Sequence, residues 1–179
     1  HAIDIAIPVD CNDVDSSVNT IKSMIKTNPD SKLNFHLLSF SWEKIGTEFE
    51  GIAGDNISVD YNLIDKTQID RLNTHKGISY NSFSVLLPTL FANLSNILFV
   101  SNKMLFLKNW EGFIEELGES YAKVVPKKTK SAITRRLQIN YETYFGSGLI
   151  LFDLNKLRGI DFINSLSELI KQDAEMDYE

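Results

Sequence analysis

Apolar residues alternate with polar or small ones across "AIDIAIPVD", where Ile3, Ile5, Ile7 and Val9 recur at period two, the signature of a strand. Pro8 has no N–H to give a ladder, so this strand is expected to end there. The period then lengthens. In "DVDSSVNTIKSMIKTNPD", Val14, Val18, Ile21 and Ile25 fall at helical spacing, with Asp15 or Ser16 as the expected N-cap and Asn28-Pro29-Asp30 as the stop. "KLNFHLLSF" reads as a second strand and "NISVDYNLI", with Ile57, Val59, Tyr61 and Leu63, as a third. "YNSFSVLLPTLFANL" reads as a helix, kinked or ended near Pro88. Strand "NILFV" follows, then the short run "MLFL", then an expected helix with Trp110, Phe113, Ile114 and Leu117 on one face. "YAKVV" and "GLILFDL" are two further strands. A last amphipathic helix is expected from Asp161, burying Phe162, Ile163, Leu166, Leu169 and Ile170. Strands alternating with helices predict an α/β layered fold.

Composition narrows the class. A chain of 179 residues suffices for one domain with a full core and is short for two. Hydrophobic residues at 43% and charged residues at 23% match globular averages, which excludes wholesale disorder. The net charge of −6 argues against a dedicated nucleic-acid binder. The single cysteine, Cys11, permits no internal disulfide and gives no sign of an oxidising compartment; a bacterial source would imply the cytoplasm. No apolar run approaches the roughly 20 residues that span a bilayer. His1-Ala2 lacks an initiator Met and "KQDAEMDYE" stops without a cap signal, so trimming is expected at both ends.

Little of the usual catalytic chemistry is present. His1, His36 and His75 are scattered, and His36, between Phe35 and Leu37, is expected to be a hydrogen-bonded core or edge residue. Cys11 has no histidine beside it in sequence and is expected to be a small half-buried residue. The absence of GxGxxG and GxxxxGK[ST] weighs against an NAD-binding or P-loop enzyme. Charge is segregated near the end. Lys123, Lys127, Lys128, Lys130, Arg135 and Arg136 have no acid among them. Asp161, Glu168, Asp173, Glu175, Asp177 and Glu179 are opposed by Lys171 alone. This is either a solvated loop beside a solvated helix face or an anion-binding surface made by the basic segment.

Six segments in order carry a resemblance to a known family. "IAIPVD" ends a strand in Asp10, a helix like "SSVNTIKSMI" follows, and "NFHLL" is the next strand. "SFSVLLPTLF" then brings an apolar-Pro pair, "ILFVSNK" a strand emptying into a polar tripeptide, and "YFGSGLILFDLNKLR" a glycine-serine pair before an apolar strand. Over nearly the whole chain this resembles the family-8 glycosyltransferases. The resemblance implies a single GT-A-like (Rossmann-like) layered domain over residues 1–179, with a mixed sheet flanked by helices. It implies an ancestral transfer of sugar from a UDP-type nucleotide sugar to a glycan or protein acceptor, with retention at the anomeric carbon. In such enzymes an Asp-x-Asp pair grips a divalent ion, usually manganese, that bridges the donor's diphosphate. The expected nucleotide-sugar site here comprises Asp10, Ser84, Ser101, Asn102, Lys103, Gly146, Ser147 and Gly148. Asp10 would either meet the uracil or ribose edge or cap the amides of the next helix.

The departures from the family pattern fall where that chemistry would sit. Ser101 and Lys103 stand at the two carboxylate positions, Ser84 where an arginine is usual, and Gly146 where an asparagine is usual; Lys127 replaces a further aspartate in a looser match. The family's C-terminal histidine motif lies beyond the last residue. Two unit charges about 4 Å apart interact by roughly 4 kcal/mol at an effective dielectric of about 20. Exchanging a carboxylate for an ammonium turns attraction into repulsion, and a divalent ion enlarges the swing. No metal cofactor is therefore expected. Two readings follow. In one the domain has no metal-dependent activity and survives as a pseudo-transferase that binds a protein partner or glycan. In the other Lys103 replaces the cation in a metal-independent active transferase.

Overall fold

The computed structural model describes residues 2–43, 45, 47–70, 80–115, 117–126 and 145–168. His75, the basic residues Lys127 to Arg136, and Leu169 and Ile170 of the expected last helix lie outside them.

The period-two segments form one sheet of six strands: β1 (Ile3–Pro8), β2 (Leu33–Ser39), β3 (Ile57–Leu63), β4 (Asn96–Val100), β5 (Ala122–Pro126) and β6 (Phe145–Asp153). Their order is β3-β2-β1-β4-β6-β5. β1 runs parallel to both β2 and β4, β2 runs parallel to β3, and β6 is antiparallel to β4 and β5. The sheet is mixed, as the resemblance implied. Register is set by matched apolar residues, with Ile5 beside both Phe35 and Leu98, and Phe99 beside Ile150.

Helices cover both faces, which is why the central strands are apolar on both sides. On one face Ile5, Ile7, Val9, Phe35, Leu37, Leu98, Val100 and Leu151 pack with Val18, Ile21 and Met24 of helix α1 (Val14–Thr27). On the other Ala6, Leu38, Ile97, Phe99, Ile150 and Phe152 meet Phe83, Leu86, Leu87, Leu154 and Leu157. β1 ends at Pro8 as expected, and α1 stops at Thr27 before Asn28. Among the described residues no helix is long and apolar enough to cross a membrane.

Several local expectations are corrected. The residue flanking the start of α1 is Asp13, not Asp15 or Ser16. "YNSFSVLLPTLFANL" is a 3-10 helix over Tyr80–Leu86 followed by one short helix, α3 (Leu87–Leu90); a brief α2 spans Lys66–Asp70. Pro88 opens α3 instead of ending a helix, because its missing N–H is needless in a first turn. The helix expected to carry Trp110 to Leu117 is a single 3-10 turn, Glu111–Ile114. Trp110 is instead fixed by its own bonds, N–H to Asn28 Oδ1 at 3.3 Å and Nε1–H to the Met24 carbonyl at 3.3 Å. Helix α4 (Leu154–Gly159) follows β6 directly, capped by Asp153, whose carboxylate accepts from the Lys156 amide at 2.9 Å. Residues 162–168 are helical, with Phe162, Ile163 and Leu166 half-buried.

His36 is the hydrogen-bonded residue expected. Its Nε2 lies 2.9 Å from Asp4 Oδ1, which also accepts from Asn34 at 3.1 Å, and its Nδ1 lies 3.5 Å from Asp60. Burial pushes the Asp4 carboxyl up, but the bonds from His36 and Asn34 and the imidazole charge outweigh it and hold the group below its ordinary 3.8. A carboxyl depressed in the folded state adds stability above its unfolded value, and that stability is lost as pH falls through the folded value. Asp4→Asn is therefore expected to lower the urea midpoint at about pH 7, with the gap to wild type narrower at a pH below the ordinary 3.8. An equal gap at both would show that charge at Asp4 is immaterial.

Candidate functional site

The strand order reverses direction at β1: β2 and β3 extend to one side of it, β4 to the other. In open α/β sheets the crevice at the carboxyl ends of strands at such a reversal is where ligands bind. The loops after β1 and β4 therefore frame the candidate site. They contain Asp10 and Ser101-Asn102-Lys103.

The end of β1 is tightly held. The Val9 amide donates to the Leu38 carbonyl at 2.7 Å, Ser17 Oγ to the Pro8 carbonyl at 3.1 Å, and Ser39 Oγ to the Val9 carbonyl at 2.9 Å. The chain then turns on Asp10. Its Oδ1 accepts from the Asn12 amide at 2.8 Å, and its carbonyl from the Asp13 amide at 2.9 Å. This is an aspartate turn ahead of α1, so Asp10 does not cap the helix itself. The same Oδ1 accepts from the Tyr80 hydroxyl at 3.1 Å, tying the 3-10 segment to the crevice. Ser84, half-buried, lies in that segment beside the fully buried Phe83. Cys11 is half-buried, as expected.

At the end of β4, the Ser101 amide donates to the Gly148 carbonyl at 2.7 Å, so the "GSG" of β6 abuts the tripeptide. A Cβ on Gly148 would lie 3.3 Å from Met104 Sδ and 3.6 Å from Ser101 Cβ, and glycine permits this approach. Gly146 is half-buried and Ser147 exposed. Asn102 is buried, 5% exposed, and lines a groove of about 280 Å³ with Ser16, Asn19, Thr20, Lys103, Met104 and Leu105.

Lys103 is exposed and its Nζ lies 3.6 Å from Asp13 Oδ2. Ser16 Oγ donates to the same carboxylate at 2.8 Å. The Ser16 hydroxyl is the main cause that holds Asp13 below its ordinary value, partial desolvation opposes it, and the Lys103 charge adds to it. Asp13 thus bridges the β1 and β4 loops.

Asp10, Ser101, Asn102, Lys103 and Gly148 lie at one end of the sheet, after β1 and β4 and in β6. Asp13 and Tyr80 were missed. Asp13 and Ser16 had a readable signal, an acid three residues ahead of a serine at a helix start; Tyr80 had none. Of the basic segment, the described Lys123 lies with its Nζ 5.4 Å from the centre of the Phe113 ring.

The family model described as glycosyl transferase family 8 matches residues 4–178. Among solved structures the chain is similar to the galactosyltransferase LgtC held with donor and acceptor sugar analogs, at TM-score 0.76 and 17% identity over 95% of this chain and 66% of that one. It is similar to the glycosyltransferase GlyE of Streptococcus pneumoniae, at TM-score 0.69 and 14% identity over 98% and 40%. It is also similar to core-mannan synthase A of Aspergillus fumigatus in its Mn/GDP form, at TM-score 0.63 and 12% identity over 96% and 64%. The chain spans less than two thirds of the length of each. No curated protein matches it in sequence. The mixed six-stranded sheet with helices on both faces is the GT-A fold.

Proposed function

The chain belongs to glycosyl transferase family 8, and from that membership we propose a glycosyltransferase-type domain that holds a UDP-type nucleotide sugar without a divalent ion and has no metal-dependent transfer activity. The observation that carries this reading is the place of Ser101-Asn102-Lys103 at the carboxyl end of β4, in the crevice where the strand order reverses. The donor set does not fit manganese. Ser101 offers a hydroxyl, Asn102 is buried, and Lys103 brings an ammonium to a position that would need an oxygen anion. A hard cation would meet charge repulsion there in place of a carboxylate clamp.

Asp10, half-buried beside Tyr80, supplies an acceptor for the nucleoside end of the donor. The glycan or protein acceptor, or a protein partner for a non-catalytic domain, would complete the assembly. A binding pseudo-transferase is favoured over a transferase that uses Lys103 as its cation, because Ser84 and Gly146 depart from the family pattern alongside Ser101 and Lys103.

Lys103→Ala tests this choice by calorimetric titration of UDP in chelator at low and high salt. The variant is expected to change affinity by less than about threefold, since exposed ion pairs contribute little. A loss of about tenfold, 1.4 kcal/mol, with a flattened salt dependence would make Lys103 the cation's stand-in and favour the active, metal-independent reading.

A further inference from the structure

Asn102 is the middle residue of the tripeptide, and its side chain has no part in the chemistry described so far. It is 5% exposed, and among the described residues nothing hydrogen-bonds to its side-chain amide. Buried amides are ordinarily paired. The side-chain polar atoms sealed without a partner among the described residues are Asn28 Nδ2 and Trp42 Nε1. The Asn102 amide is not one of them, so it reaches the surface. It does so in the groove of about 280 Å³ between the first turns of α1 and the chain after β4.

Asn19, on α1, brings a second amide to this groove, exposed and without a partner among the described residues. Lys103 lines it too, with its ammonium turned to the start of α1, 3.6 Å from Asp13. The hydroxyls on the α1 wall are already committed. Ser16 Oγ donates to Asp13 at 2.8 Å and Thr20 Oγ1 to the Ser16 carbonyl at 3.0 Å, which leaves the two amides to a ligand. Leu105, 66% exposed, adds an apolar lip.

We propose that this groove is a saccharide-binding site, separate from the nucleotide crevice, that takes a neutral sugar ring. The ion pair decides the charge. Asp13 already offsets Lys103, so an anionic ligand meets no unopposed cation here and a cationic one no unopposed carboxylate. The amides decide the rest. Each donates through its N–H and accepts through its carbonyl at once, the combination that neighbouring hydroxyls require. The ammonium has further N–H groups for another hydroxyl. The C–H face of the ring lies on Leu105, where it covers exposed apolar surface. An extended peptide fits less well, because its main chain turns a polar pair to any one side only at every second residue. The Asn102 side chain thus serves the α1 flank of the tripeptide, and the crevice lies on the other.

The experiment screens the wild-type protein against an array of neutral oligosaccharides and, in parallel, an array of peptides, then follows the strongest saccharide by calorimetry. Wild type is expected to bind saccharides and to keep the same affinity when UDP is added in excess. Asn19→Ala and Leu105→Ala, both at exposed positions, are each expected to weaken saccharide binding by about fivefold or more and to leave UDP binding as it was. Asn102→Ala is expected to weaken it at least as much, and the two exposed variants decide should that buried change prevent folding. Binding of peptides and no saccharide would overturn the proposal, as would binding on neither array. Displacement of the saccharide by UDP would place it in the crevice and overturn the proposal too. So would a loss smaller than about fivefold in both exposed variants.

Discussion

Replacing Arg158 by alanine is expected to lower stability by about 2–3 kcal/mol, the largest loss anticipated from any single change outside the apolar core. The guanidinium reaches from α4 to the opposite segment. Its Nη1 donates to the carbonyls of Pro88 at 3.3 Å and Phe91 at 3.2 Å, and its Nη2 to the Leu94 carbonyl at 2.9 Å and to Asn155 Oδ1. Of these carbonyls only that of Pro88 lies in α3, and that of Phe91 also accepts from the Leu94 amide at 3.1 Å; hydrogen bonds to a charged donor are the strong kind. The same carbonyls lie beside Leu87 and Phe91 of the second core face, so their loss would loosen the layer that supports the Tyr80 segment. Urea unfolding measures the effect. For a chain of this size it corresponds to a fall in Tm of roughly 5–10 °C. A loss below about 0.5 kcal/mol, as at an ordinary surface position, would show that the carbonyls find water just as well.

The second large effect is a gain. The double variant Ser101→Asp, Lys103→Asp is expected to acquire manganese-dependent UDP binding, with manganese raising affinity by about tenfold or more. It removes the ammonium and introduces two carboxylates near Asp13, a cluster whose mutual repulsion a divalent cation would relieve. Ser101 is anchored through its backbone to Gly148, so the exchange leaves the strand end in place. A double variant that folds and binds UDP identically with and without manganese would mean that the tripeptide is not what withholds the metal.

The fold was legible where burial and ladder agree. Ile5, Ile7, Phe35, Leu37, Leu98 and Val100 announced strands because the central strands are covered on both faces and bury these residues fully or nearly so. Helix type was less legible. Apolar spacing from Phe83 to Phe91 reports which residues are buried, not which hydrogen-bond ladder carries them, and a 3-10 segment buries nearly the same set. Trp110, Phe113, Ile114 and Leu117 have helical spacing, yet Trp110 is held by bonds to Met24 and Asn28 across the chain. Helix α4 was hidden in a strand's tail, although Asp153 with Lys156 three residues on was a cap signal open to reading.

The candidate site divides in the same way. Asp10 and Ser101-Asn102-Lys103 were singled out by the resemblance, whose motifs lie at the ends of apolar strands, and a strand end is a property of local sequence. Tyr80 and Asp13 have partners distant along the chain, Tyr80 and Asp10 lying 70 positions apart. Nothing local marks a phenol that will meet a carboxylate so far away. Lys103 was singled out for its charge, but that Asp13 would be waiting beside it was visible only in three dimensions.

Whether this crevice works without a metal is decided by titrating UDP into the wild-type protein at saturating manganese and again in chelator. Ser101 and Lys103 in place of two carboxylates predict the same affinity in both. A manganese-dependent gain of about tenfold or more, 1.4 kcal/mol, would contradict a metal-free site and restore the ordinary chemistry of the family.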